Sequence, residues 1–136
     1  MAGYSGTPLA KKLGIKEGSR VALLSAPDGF RELLGDLPGG ITIRSRAVRP
    51  LDVIVFFASS RAGLERRMPT LRRAMDPAAG LWIAWPKRAS GVETDMTEDV
   101  AREVGLANRL VDNKVAAIDE TWSGLRLVIR LVDRDG

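Results

Sequence analysis

Three short, almost uninterrupted apolar runs constrain this chain more than any other feature: Arg20-Val21-Ala22-Leu23-Leu24-Ser25, Asp52-Val53-Ile54-Val55-Phe56-Phe57-Ala58 and Leu81-Trp82-Ile83-Ala84-Trp85. A strand with one wet face alternates apolar and polar residues. A run that does not alternate has to be covered on both faces, and in a small domain that means a mainly parallel sheet between two helical layers. The segments between the runs fit this reading. Pro27-Asp28-Gly29 breaks the first run, and Phe30 to Leu34 predicts a turn or two of helix ending at Gly35. Gly40-Ile41-Thr42-Ile43-Arg44-Ser45 alternates, as a strand nearer a sheet edge does. Ser59 or Ser60 can cap a helix on which Leu64, Met68, Leu71 and Met75 share one face, with Pro69 predicting a kink or break.

The remainder predicts a helix over 94–104 ended by Gly105, then strands over 114–118 and 125–132 around the turn Glu120-Thr121-Trp122-Ser123-Gly124. Arg126 and Arg130 fall on the solvated face of the last strand, while Trp82 and Trp85, three apart on a buried strand, point to opposite faces. At the other end Thr7 as N-cap and Pro8 at the first helical position open a short helix that stops at Gly14. Strands and helices alternate until a final hairpin. Numbered along the chain, the strands are expected in the order 2-1-3-4-6-5 with only the sixth antiparallel. A chain of 136 residues is the size of one domain, 1–136, with residues 1–18 as an N-terminal helical extension.

Composition narrows the chemistry. The chain has no Cys and no His, which excludes disulfides, thiol nucleophiles, Cys/His metal sites, imidazole acid–base catalysis and a Ser-His-Asp triad. No apolar run approaches the ~20 residues that span a bilayer, so no membrane association is expected and the cytoplasm is the expected location. The net charge of +4 is local: residues 1–50 hold eight Lys/Arg against four Asp/Glu, and the rest balances.

The topology over residues 19–132 resembles the Rossmann-like methyltransferases that use S-adenosylmethionine. The resemblance rests on the central strand Asp52 to Ala58, the helix and turn Leu71-Arg72-Arg73-Ala74-Met75-Asp76-Pro77-Ala78-Ala79-Gly80, and the reversed hairpin Lys114 to Val132. It implies an α/β, single-domain, three-layer sandwich. The runs TPLAKKLGIKEGSRVALLSAP and SGVETDMTEDV resemble a small bacterial domain-of-unknown-function family, which implies no activity. The resemblance to the methyltransferases weakens at the cofactor motif. That fold has a Gly-rich loop after its first strand and an acidic residue ending its second. Here the loop reads Ser25-Ala26-Pro27-Asp28-Gly29-Phe30 and the second strand ends Ile43-Arg44-Ser45-Arg46. The expectation is therefore no cofactor, with S-adenosylmethionine disfavoured.

In open α/β sheets ligands bind beyond the carboxyl ends of the strands, where strand order reverses. That places Ser25, Asp28, Gly29, Ser59, Ser60, Lys87, Ser90 and Asp95 at a candidate ligand rim, with no catalytic or metal-binding residue among them. Lys87, facing Ser59, Ser60 and the next helix start, suits a small anion. Asp95-Met96-Thr97-Glu98 has the spacing of a capping box, which is preferred to an oxygen-ligand cation site. Five Arg and Glu65 on the helix over 60–75 offer a nucleic-acid surface, but no aromatic is interleaved for stacking, and a solvated face is the simpler meaning. The leading expectation is a non-catalytic α/β domain that binds a small anionic ligand or a protein partner. An enzyme with a nucleotide-type cofactor is the alternative, and a nucleic-acid accessory protein the second.

Overall fold

The structure, a computed structural model, describes residues 8–134. Thr7, the expected cap of the first helix, lies outside them, and α1 (Leu9–Lys12) follows Pro8 directly. Six strands form one sheet: β1 (Arg20–Leu24), β2 (Thr42–Arg44), β3 (Leu51–Phe57), β4 (Met75–Pro86), β5 (Leu110–Ala117) and β6 (Trp122–Ile129). They lie in the order β2-β1-β3-β4-β6-β5. All neighbours are parallel except at β6, which runs antiparallel to both β4 and β5. This is the expected order and sense. Among the described residues no helix is long and apolar enough to cross a membrane.

The continuous apolar runs fill both faces of the sheet. Val21, Val53, Val55, Phe57, Trp82 and Ala84 pack with Ala10 and Leu13 of the α1 segment and with Phe30 of α2 (Phe30–Leu33). Ala22, Ile54, Phe56, Leu81, Ile83 and Trp85 pack under Leu64, Met68 and Leu71 of α3 (Arg61–Ala74) and Ala101 and Val104 of α4 (Glu98–Ala107). Trp82 and Trp85 thus enter opposite core layers. The Trp82 indole Nε1 donates to the Leu13 carbonyl at 3.0 Å, fastening the α1 segment to the middle of the sheet.

Several expectations need correction. α3 runs through Pro69 without a break. Pro69 is exposed, so the Glu65 carbonyl that it leaves without a donor lies on the side where water can reach it. Instead of ending α4, Gly105 lies inside it and is buried against Leu127, where a Cβ would come within 2.8 Å of Leu127 Cδ2. The helix starts at Glu98 rather than Thr94. β4 begins at Met75, and pairing with β3 jumps from Leu51–Met75 to Val53–Gly80, so residues 76–79 bulge from the sheet. Trp122 is no turn residue but the first of β6, edge-on to Phe57 with centroids 5.0 Å apart.

Arg126 is not on a solvated face. It lies half-buried beside Gly80, whose missing side chain makes room: a Cβ there would stand 2.4 Å from the Arg126 Nε. Burial, and then the nearby Arg134, push its basicity down. Arg130 falls outside β6, which stops at Ile129.

Candidate functional site

β1 and β3 lie side by side, and the helices that follow them cover opposite faces of the sheet: α2 packs with the Trp82 layer and α3 with the Trp85 layer. Strand order therefore reverses between the two, and in open α/β sheets ligands bind beyond the carboxyl strand ends at such a point. On the β1 side the chain leaves Leu24 through Ser25 at φ +56, a left-handed conformation that costs a non-glycine residue about 1 kcal/mol or more. The Pro27 carbonyl accepts from the Phe30 amide at 3.1 Å, and Gly29 at φ +82 leads into α2. A Cβ on Gly29 would meet no atom within 4 Å, so open space borders the loop. Asp28 is exposed beside it.

On the β3 side, Ser59 is exposed and Ser60 caps α3, its Oγ accepting from the Gly63 amide at 3.0 Å. Two bonds tie the distant segment around residue 95 to this helix start. The Arg61 amide donates to Asp95 Oδ1 at 2.8 Å, and the Thr94 hydroxyl donates to the Ser59 carbonyl at 2.7 Å. Asp95 thus caps α3, not its own helix. The cap of α4 is Thr97, whose Oγ1 accepts from the Val100 amide at 3.2 Å. The capping-box spacing pointed to capping, but only the tertiary structure shows which helix Asp95 serves. Glu98 turns to Arg102, which also reaches Asp99 and Asp112. No three acidic side chains among the described residues gather around a point that could hold a metal ion.

These bonds also revise the anion reading at Lys87. The amides of Arg61 and Gly63 at the start of α3 already have acceptors, and one of them is the Asp95 carboxylate, which repels an anion. The Lys87 amide donates to the Thr121 carbonyl at 2.7 Å, and the Lys87 carbonyl accepts from the Ser90 hydroxyl at 2.6 Å. Ser90 is thereby used in closing its own turn. Lys87 and Asp95 line an open cavity of about 800 Å³ beyond β4, together with Trp85, Met96 and Ser123. The expected rim therefore divides: Ser25, Asp28, Gly29 and Ser59 follow the carboxyl ends of β1 and β3, and Lys87 and Asp95 line the cavity beyond β4. Ser123 was not legible as a site residue, because it comes to the rim only by pairing with Trp85 across β4 and β6.

The fold is that of the Rossmann-like methyltransferases. The chain is similar to an S-adenosylmethionine-dependent methyltransferase from Aquifex aeolicus at TM-score 0.62 and 15% identity, covering 90% of this chain and 88% of that one. It is similar to the magnesium protoporphyrin IX methyltransferase from Synechocystis, a structure with bound S-adenosylmethionine, at TM-score 0.58 and 9% identity over 90% and 74% of the two chains. It also resembles the Aeropyrum pernix fibrillarin, solved with natively bound S-adenosylmethionine, at TM-score 0.55 and 15% identity over 93% and 70%. No protein-family model and no curated protein sequence matches the chain.

These likenesses overturn the expectation that no cofactor is used and that S-adenosylmethionine is disfavoured. Two of these neighbours, at 9% and 15% identity, hold that cofactor on this fold. The departures in the loop after β1 and at the end of β2 stand in the structure as the sequence has them. β2 ends at Arg44 opposite Ala22, two residues before β1 ends at Leu24, and no acidic residue stands at its end.

Proposed function

We propose that this chain is an enzyme of the S-adenosylmethionine-dependent methyltransferase type, with its cofactor crevice between the carboxyl ends of β1 and β3. The observation that carries the reading is the loop from Ser25 to Gly29: it leaves β1 in a left-handed turn at the point where strand order reverses, and open space borders Gly29. The residues present suit the group. Gly29 keeps the wall of the crevice low, Asp28 offers an exposed carboxylate for the ligand's hydroxyl or ammonium groups, and Ser59 offers a hydroxyl from the facing strand end. When bound, such a cofactor supplies an activated methyl group. That transfer asks the protein for positioning and for exclusion of water more than for a nucleophile, so a chain without His or Cys is equipped for it. The adjoining cavity lined by Trp85, Lys87 and Ser123 is then the space for a methyl acceptor.

Titration calorimetry with S-adenosylmethionine tests the reading without knowledge of the acceptor. Micromolar binding, about 8 kcal/mol, is expected, with Asp28→Asn weakening it about tenfold through loss of a charge-assisted bond. Absence of binding at millimolar cofactor, with no rise in melting temperature, would overturn the proposal. Binding of equal strength in Asp28→Asn would remove Asp28 from the site.

A further inference from the structure

A second cavity, of about 530 Å³, lies at the other end of the sheet, where β4 begins and β6 ends. Its charge is lopsided. Arg72 and Arg73 come from the last turn of α3, Arg49 from the segment before β3 and Arg134 from the turn after β6, while the one carboxylate lining it is Asp133. That carboxylate is already committed, accepting from Arg109 at 3.3 Å and from Arg130 at 3.1 Å. Asp76, next to the cavity in sequence, is 3.8 Å from Arg20 instead. Among the described residues none of the four lining arginines has an ion-pair partner. Arg134 Nε donates to the Ile129 carbonyl at 2.8 Å, and Arg73 reaches only the Thr70 hydroxyl at 3.3 Å. The Arg72 Nε is buried and has no acceptor among the described residues.

Two of these observations are costly unless something else is present. A buried N–H without an acceptor forfeits its hydration, and native proteins keep few such groups. Four like charges around one hollow repel one another, most at the partly buried Arg72 and Arg134. A ligand bearing several anionic oxygens relieves both costs at once. Guanidinium groups present planar forks that match a phosphoryl group through paired, charge-assisted hydrogen bonds. The volume is in the range of small-molecule sites, so there is room for more than a single ion.

We infer that the Arg49/Arg72/Arg73/Arg134 cavity is a binding site for a phosphoryl group, at the opposite end of the sheet from the proposed cofactor crevice. The inference does not depend on that crevice or on methyl transfer. The phosphoryl group belongs either to a small phosphorylated molecule or to a nucleic-acid strand end, and the same arginine contacts serve both.

The test uses the full chain, labelled with nitrogen-15, and pyrophosphate as probe at about 150 mM salt, where weak surface attraction is largely screened. Pyrophosphate is expected to shift the Arg72 and Arg134 Nε–H signals saturably. Arg49→Gln and Arg134→Gln should each weaken its binding about tenfold. Arg66→Gln, an exposed arginine on the same helix outside the cavity, should leave it unchanged. Arg49 is exposed, so its replacement keeps the test readable if Arg134→Gln disturbs the chain end. A 5′-phosphorylated oligonucleotide that displaces pyrophosphate with the same arginine dependence identifies a strand end as the source. An oligonucleotide that does not displace it identifies a small molecule. No saturable shift at millimolar pyrophosphate, or equal weakening by Arg66→Gln, overturns the inference.

Discussion

Replacing Trp82 with Phe removes one hydrogen bond and part of one ring from the centre of the molecule, and the structure allows the loss to be worked out. Trp82 and Leu13 are 0% and 1% exposed, so the Leu13 carbonyl that accepts from the indole has no water to replace it. Orphaning a buried acceptor costs about 1–3 kcal/mol, and the smaller ring leaves space worth about 1 kcal/mol more. The sum is about 2–4 kcal/mol, or roughly 6–15 °C in melting temperature for a chain of this size. Urea unfolding followed by circular dichroism measures it. The loss should also have a place. The amides of Leu13, Gly14 and Ile15, bonded to Leu9, Lys11 and Ala10, should exchange hydrogen faster than the rest of the core, because the α1 segment loses its anchor. Trp85→Phe is the control. Its side chain belongs to the other core layer, so it should cost only the ring-size part and leave α1 protected. Equal losses from the two variants, or a loss below about 1 kcal/mol for Trp82→Phe, would refute the idea that this bond ties the N-terminal helix to the sheet.

The start of the sheet should respond to acid. Asp52 accepts from the Arg20 guanidinium at 2.8 Å through both carboxylate oxygens and from its amide, and this pairing with Arg20 holds its carboxyl below the ordinary range. A lowered folded value means that the stabilisation is complete above the unfolded carboxyl range near pH 4 and is lost as pH falls through the folded value. Asp52→Asn should therefore be less stable than the wild type at about pH 7, and the gap should narrow as pH falls below the unfolded carboxyl range, measured by denaturant midpoints across pH. Gly105→Ala sets two effects against each other. Helix propensity favours Ala by about 1 kcal/mol, but its Cβ would meet both Leu127 methyls at 2.8 and 2.9 Å, so that buried side chain or the strand carrying it must shift. Overpacking of about 1–3 kcal/mol should win, and a thermally stabilised variant would show that β6 yields more than expected.

What the sequence determined by itself is the layer architecture. Runs such as Asp52 to Ala58 cannot leave a face in water without exposing large apolar area, and burial on both faces admits few arrangements for a chain this short. The central place of β1, β3 and β4, the antiparallel final pair and the opposed faces of Trp82 and Trp85 follow from that pattern and from the short final hairpin, while the full strand order is what the methyltransferase resemblance implies. Local signals with competing outcomes were decided only in three dimensions. Pro69 stays in its helix because its exposed face lets water replace the missing donor, and Gly105 stays because Leu127 occupies the place of its side chain. The candidate rim was legible as a strand-end location, since Ser25 to Gly29 and Ser59 must lie where β1 and β3 end. Its division was not. Asp95 is 34 residues from the amide that it caps, and the basic cavity joins Arg49, Arg72 and Arg134 from three separate elements. Periodicity records which face a residue takes within its own element. Contacts between elements depend on how the sheet twists and where each loop returns, and no spacing along the chain encodes them.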